Sequence, residues 1–160
     1  MQPWIEEATK HIGVTEIKGP KHNSVITSWL QRLGAWWFDD ETPWCGVFVA
    51  QCIAEAGLSV PKYWMRARDW LDWGVQINRP AYGCIVVFSR EGGGHVGFVA
   101  GIDEKGRLMV LGGNQKKDAV SIVPFDHARV LGYRWPEGVI LDYSPLPVYR
   151  KQTDSSQDEA

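Results

Sequence analysis

Hydrophobic positions along the chain follow two different spacings, and the change comes near Pro80. Before it, apolar residues recur every three to four positions. Residues 4 to 12 form a short amphipathic segment. From Asn23, Ile26, Trp29, Leu30 and Leu33 line one helical face, with Asn23 suited to the cap and Gly34 to the end. A third helix is expected from Thr42-Pro43 through Ala56, closed by Gly57. Thr42 would be its N-cap, Pro43 its first helical position and Gly57 the residue just past its end. A shorter helix is expected to hold Trp70 and Trp73 and to stop at Gly74.

Beyond Pro80 the apolar residues run together or alternate. Cys84-Ile85-Val86-Val87-Phe88 has the composition of a buried strand, and Gly92-Gly93-Gly94 that of a flexible turn. Further strands are predicted at 95–102, 107–111, 119–123 and 130–135, with Asp103-Glu104-Lys105-Gly106 as a hairpin turn. Short links without intervening helices imply antiparallel pairing. Helices first and strands second imply an α+β domain over residues 1–145. Pro145 and Pro147 mark its exit, and 146–160 is expected to be a disordered tail rich in Ser, Asp and Glu.

Composition narrows the function classes. The 160 residues carry 17 basic and 19 acidic side chains, a net charge of −2. Residues 151–160 hold one Lys and three acids, so the rest is balanced at sixteen of each sign. Without a basic excess or run, nucleic-acid binding is not expected. No stretch reaches the roughly 18 apolar residues of a membrane span, and the first residues lack the pattern of a secretory signal. Synthesis in the cytoplasm without a signal peptide is therefore expected. Nine tryptophans are a heavy load; most should be core, and some could stack on a substrate.

Three cysteines cannot form a disulfide framework. Cys45 and Cys52, in one helix, lie about 10.5 Å apart along its axis, too far to bridge. Cys45 falls in the first turn of the third helix, at its third position. There the unpaired amides and the helix dipole favour a thiolate and could hold an oxyanion. The alternative for Cys45 is a small buried hydrophobe, as most free cysteines are. Cys52 and Cys84 lie in apolar runs and read as core.

His95 opens an apolar strand beside three glycines, where it could act as a base or simply be a satisfied, partly exposed histidine. Gly94 and Gly97 leave little bulk to shield its ring. A hairpin centred between residues 104 and 105 pairs His95 with Asn114, which could then orient the imidazole. A register shift of one residue would bring in Gly113 or Gln115 instead. His11, His22 and His127 are expected at the surface, and no set of residues has metal-ligand spacing.

The stretches Pro43-Trp44-Cys45-Gly46-Val47-Phe48-Val49, Gly94-His95-Val96-Gly97-Phe98-Val99 and Leu111-Gly112-Gly113-Asn114-Gln115 occur in an order that resembles the CHAP and NlpC/P60 superfamily of cysteine peptidoglycan hydrolases. Gly13–Ile17 and Gly132–Pro136 are similar to stretches of a phage and prophage subgroup. Three positions depart from the pattern: Cys84 stands for a common Asp, Gly46 for a frequent Ser, and Gly112 for a frequent Glu. Some CHAP domains bind calcium through acids ahead of the cysteine. Asp39-Asp40-Glu41 is only loosely similar and is expected to be a solvated acidic loop.

What the resemblance implies is a papain-like α+β fold, with N-terminal helices packed on a C-terminal antiparallel sheet. Cys45 would be the nucleophile, His95 the base and Asn114 the orienting residue. Trp44, Glu41 and Gln115 are the candidates for substrate or oxyanion contacts. No metal or organic cofactor is implied. The expected partner is bacterial peptidoglycan, cut at an amide of its peptide part by a monomeric endolysin that reaches the wall after release. A secreted antibacterial effector of the same superfamily, or an inactive glycan-binding or phage structural module, are the alternatives.

Overall fold

A computed structural model of the chain describes residues 1–150 except 20, 38, 41 and 42. Thr42, Glu41 and residues 151–160 therefore lie outside the described residues. Three helices come first: α1 (Pro3–Lys10), α2 (Ser24–Leu33) and α3 (Cys45–Glu55). The strands follow as β1 (Val75–Ile77), β2 (Ile85–Arg90), β3 (Gly93–Asp103), β4 (Leu108–Gln115), β5 (Ala119–Phe125), β6 (Val130–Trp135) and β7 (Val148–Tyr149). They form one sheet in the order β1-β6-β2-β3-β4-β5, antiparallel throughout, with β7 added parallel to β3. This is the α+β arrangement that the two spacings predict.

The helix signals act as expected at several termini. Asn23 caps α2 by accepting the Val25 N–H at 2.8 Å, and Gly34 ends it with φ 76°. After α3, Gly57 N–H bonds the Ala54 carbonyl and Leu58 N–H the Ile53 carbonyl. Those two bonds close the last turn of α3 and leave its end satisfied. Residues Cys45–Ile53 of α3 are all buried. A helix apolar on every side must be covered on every side. Here α1 and α2 cover one side, and β3 and β4 the other.

Seven of the nine tryptophans are buried. Their ring N–H groups hold loops in place: Trp4 donates to the Gly83 carbonyl at 2.8 Å, Trp73 to Ser59 at 2.9 Å and Trp135 to Val139 at 2.9 Å. An indole in the core thus fills volume and satisfies a loop carbonyl at once.

Several boundaries differ from expectation. The turn between β2 and β3 is only Glu91-Gly92, because Arg90 pairs with Gly93, so Gly93 and Gly94 belong to β3. Trp70 lies in a 3₁₀ turn, Ala67–Asp72, and Trp73 just after it. β4 runs on to Gln115 because β5 pairs with it there, despite two glycines that carry no strand signal. Residues 146–150, expected in the tail, run along the sheet instead: Val148 and Tyr149 pair with Ile102 and Asp103.

The β3–β4 turn is built on one carboxylate. Asp103 is 2% exposed and accepts the Lys105 N–H at 2.9 Å, the Arg107 N–H at 2.8 Å and the Arg107 guanidinium at 2.7 Å. Burial alone would raise its carboxyl pKa, but these donors outweigh burial and hold it below the usual aspartate value. Stability from this group is therefore complete above about pH 4 and is lost as pH falls through the lower folded value. Asp103→Asn should lower the melting temperature at neutral pH. Its melting temperature should also fall less than wild type between about pH 4 and pH 2, as followed by circular dichroism.

Candidate active site

The described part of α3 begins at Cys45, two residues later than expected. Trp44 is its N-cap residue, with φ −126° and ψ 21°, and no side chain caps it. The Trp44 N–H is drawn out of the helix direction to donate to Asn114 Oδ1 at 2.9 Å. The first helical bond runs from Phe48 N–H to the Trp44 carbonyl at 2.9 Å. Cys45 is thus the first helical residue rather than the third. The amides of Cys45, Gly46 and Val47 precede the helical ladder, at the positive end of the dipole.

His95 enters from β3 and meets Cys45. Its ring is fully buried, stacked on Phe125 at 5.3 Å and 10°, with Phe88 across the β2–β3 pairing at 6.4 Å. The expectation of an open ring between two glycines is corrected: neighbouring strands supply the cover that Gly94 and Gly97 lack. Nε2–H donates to Gln115 Oε1 at 2.9 Å. The direction of that bond follows from the amide's other end. Gln115 Nε2 donates to the carbonyls of Ser121 at 2.8 Å and Val110 at 3.1 Å, and carbonyls cannot donate. With the proton on Nε2, the other ring nitrogen is the one left to serve the thiol.

The partner predicted for His95 was Asn114, and the ladder explains the difference. Phe98 pairs with Leu111 and Val99 with Val110, the register expected from a hairpin centred between 104 and 105. Continued unbroken, it would bring Asn114 opposite His95. Between Gly112 and Gln115, however, β4 carries one residue more than β5. Asn114 takes φ 57° in this bulge. One extra residue reverses the alternation of side chains. Gln115 therefore lies on the face where Asn114 was expected, and Asn114 turns to α3.

Glu16 completes this support. Its Oε1 accepts the Trp44 ring N–H at 3.2 Å and the Asn114 amide at 3.3 Å. Glu16 is the acid of the Gly13–Ile17 stretch, whose resemblance was noted without any role for it. Trp44, a candidate substrate contact, is 1% exposed and packs on Trp29 at 6.2 Å. Its ring is core, and its backbone sets the start of α3. Gln115 is equally buried and serves His95 rather than an oxyanion. The candidate Glu41 lies outside the described residues.

The acidic loop is also corrected in part. Asp40 is fully buried rather than solvated, and accepts the N–H of Ile17 and of Asn23 at 2.7 Å each and His22 Nδ1 at 3.1 Å. Burial would raise its carboxyl, but the two amides and the histidine lower it below the usual value. Its oxygens are engaged in joining the N-terminal segment to the loop before Cys45. Among the described residues, no three His, Cys, Asp or Glu are grouped as metal ligands.

Electrostatics separates the three thiols. All three are buried. For Cys45, burial would raise the pKa, but the charge and hydrogen bond of His95, the Val96 N–H and the Arg90 guanidinium together bring it below the ordinary thiol value. For Cys84, burial outweighs the backbone hydrogen bonds at its sulfur and raises it to about 12. Cys52 is likewise raised by burial, with Glu7 and Glu55 adding to the effect.

A family model described as the CHAP domain matches residues 37–114. The match takes in Cys45 and His95 and ends one residue before Gln115. This segment of the chain is similar to the CHAP domain. Search of the curated proteins finds no match. CHAP domains are in general hydrolases acting on peptidoglycan, and a buried thiol paired with a histidine at a helix N-terminus suits such an activity.

Two measurements test the geometry. Iodoacetamide at about pH 6.5 should label the native protein once, at Cys45, by peptide mass spectrometry, because only that thiol is shifted toward the reactive thiolate. Cys52 and Cys84 should label after unfolding. Gln115→Ala should slow this alkylation at least about tenfold while leaving the protein folded. Gln115→Glu should not rescue it. Its second oxygen would face the Val110 and Ser121 carbonyls, and thermal melts should show a loss of about 2 kcal/mol or more.

Proposed function

We propose that the protein cleaves an amide bond in the peptide part of bacterial peptidoglycan by acyl transfer through Cys45. The observation that carries this reading is the contact of one lowered thiol, the first residue of a buried helix, with a histidine whose tautomer is set by Gln115. Cys45 gives its proton to Nδ1 of His95; the thiolate then attacks the carbonyl carbon, and the negative charge passes to the carbonyl oxygen beside the leading amides of α3. His95 gives its proton to the departing amine. It then takes one from water, which attacks the thioester and frees Cys45.

Each support has a distinct part. Gln115 is a positioning residue for His95. Asn114 and Glu16 position Trp44, and through it the first turn of α3. The resemblance of Gly13–Ile17 and Gly132–Pro136 to phage and prophage sequences supports an endolysin that acts on the bacterial cell wall. No helix among the described residues is long and apolar enough to cross a membrane.

Cys45→Ala should abolish release of fragments from purified peptidoglycan while changing the melting temperature little, since the substitution removes only one buried sulfur. Iodoacetamide should do the same to the wild type, and EDTA should leave its activity unchanged. Mass spectrometry of the fragments identifies the bond cut. Hydrolysis retained by Cys45→Ala would overturn the cysteine mechanism. Activity lost to EDTA and restored by calcium would assign a metal to the loop before Cys45.

A further inference from the structure

Beside the nucleophile helix lies a cavity of about 780 Å³, lined by two segments of chain. One contributes Trp36, Trp37, Asp39 and Pro43, and the other Lys62, Tyr63, Met65 and Arg66. Its size is that of a small-molecule site. Pro43 is two residues before Cys45. The second segment is pressed against the helix itself, where a Cβ on Gly46 would meet the Trp64 carbonyl oxygen at 2.5 Å and the Met65 carbonyl at 3.0 Å. This explains glycine in place of serine after the nucleophile, and it ties the cavity wall to the first turn of α3.

The cavity wall is a run of three indoles of increasing exposure. Trp64 is buried, and its carbonyl accepts the Trp70 ring N–H at 3.1 Å. Trp37 stacks on Trp64 at 5.9 Å and 28°. Trp36 stands against Trp37 at 5.3 Å and is 85% exposed. Tyr63 is 41% exposed, with the Arg66 guanidinium 4.6 Å and the Lys62 amine 5.4 Å from its ring centre. The result is an exposed aromatic surface, with the Trp36 ring edge-on to Trp37 at 69°, and polar side chains of both signs at its rim.

We propose that this cavity is a saccharide subsite that seats an N-acetylated pyranose of the glycan strand next to Cys45; this rests on the reading of peptidoglycan as substrate. A pyranose has an apolar face of axial C–H groups and an equatorial rim of hydroxyl and acetamido groups. The first matches the open face of Trp36, and the second matches Asp39, Lys62 and Arg66, which offer both acceptors and donors. An acidic peptide stem would call for an excess of cations rather than an indole platform, and here both cations lie over the Tyr63 ring with an acid at the same rim.

The test uses Cys45→Ala protein, so that binding is read without turnover. It is titrated by calorimetry with oligomers of N-acetylglucosamine and, separately, with a sugar-free stem peptide. The oligosaccharide should bind, and adding Trp36→Ala should weaken it at least tenfold, with Trp36→Phe restoring most of the loss. Stem-peptide affinity should not change with Trp36. At 85% exposure, Trp36 can be replaced without unfolding the protein, which a melt confirms. Absence of oligosaccharide binding, binding indifferent to Trp36, or a Trp36 dependence seen only with the peptide would each overturn the subsite.

Fragment release from whole peptidoglycan by the protein with Cys45 intact separates this proposal from the one beneath it. Release together with sugar binding indifferent to Trp36 removes the subsite and keeps the hydrolase. Trp36-dependent sugar binding without release removes the hydrolase and keeps the subsite.

Discussion

Cys45 and His95 belong to different halves of the fold, and the end of β4 is what holds them in register. The bulge at Gly113 and Asn114 turns two adjacent carboxamides to opposite tasks. Asn114 reaches α3 and takes the Trp44 N–H, which sets where the helix starts. Gln115 reaches β3 and takes the His95 Nε2–H, which sets the tautomer. A regular strand could not do both, because its alternation would send one of the two side chains away from the site it now serves.

Close approach of backbones makes this possible. A Cβ on Gly113 would meet Phe48 Cβ at 2.6 Å and Trp44 Cζ3 at 2.8 Å, so α3 could not sit against β4 with any larger residue there. A Cβ on Gly112 would occupy the place of the Gln115 amide, 3.4 Å from His95 Nε2. The glycine found where relatives often carry Glu and the glutamine three residues later are thus one arrangement. An amide folding back over a glycine fills the space that a side chain at 112 would take.

The thiols show how little burial alone decides. Cys45, Cys52 and Cys84 are all removed from water, and burial disfavours the anion of each. Only Cys45 has a histidine, a backbone N–H and an arginine within reach of its sulfur. The difference lies in partners brought by β2 and β3, to which the residues flanking Cys45 in sequence contribute nothing.

The local signals were sufficient for much of the fold. Apolar spacing marked α2, α3 and five of the strands, Asn23 and Gly34 bounded one helix, Gly57 closed another, and the centre of the β3–β4 hairpin predicted the pairing of Phe98 and Val99. The place of Cys45 in the first turn of α3 and of His95 near the start of β3 was legible as well, because helix starts and strand openings are local properties. What tertiary structure decided were the contacts made across elements. Asp40 looks like part of a solvated acidic run until the N-terminal segment folds over it. Glu16 pairs locally only with the exposed Lys18 amine, and its other oxygen meets Trp44 and Asn114 from 28 and 98 residues away. The exchange of Asn114 for Gln115 turned on one extra residue in β4. A bulge is selected by what packs against it on both sides, so the hairpin arithmetic could offer Gln115 only as the alternative one residue away.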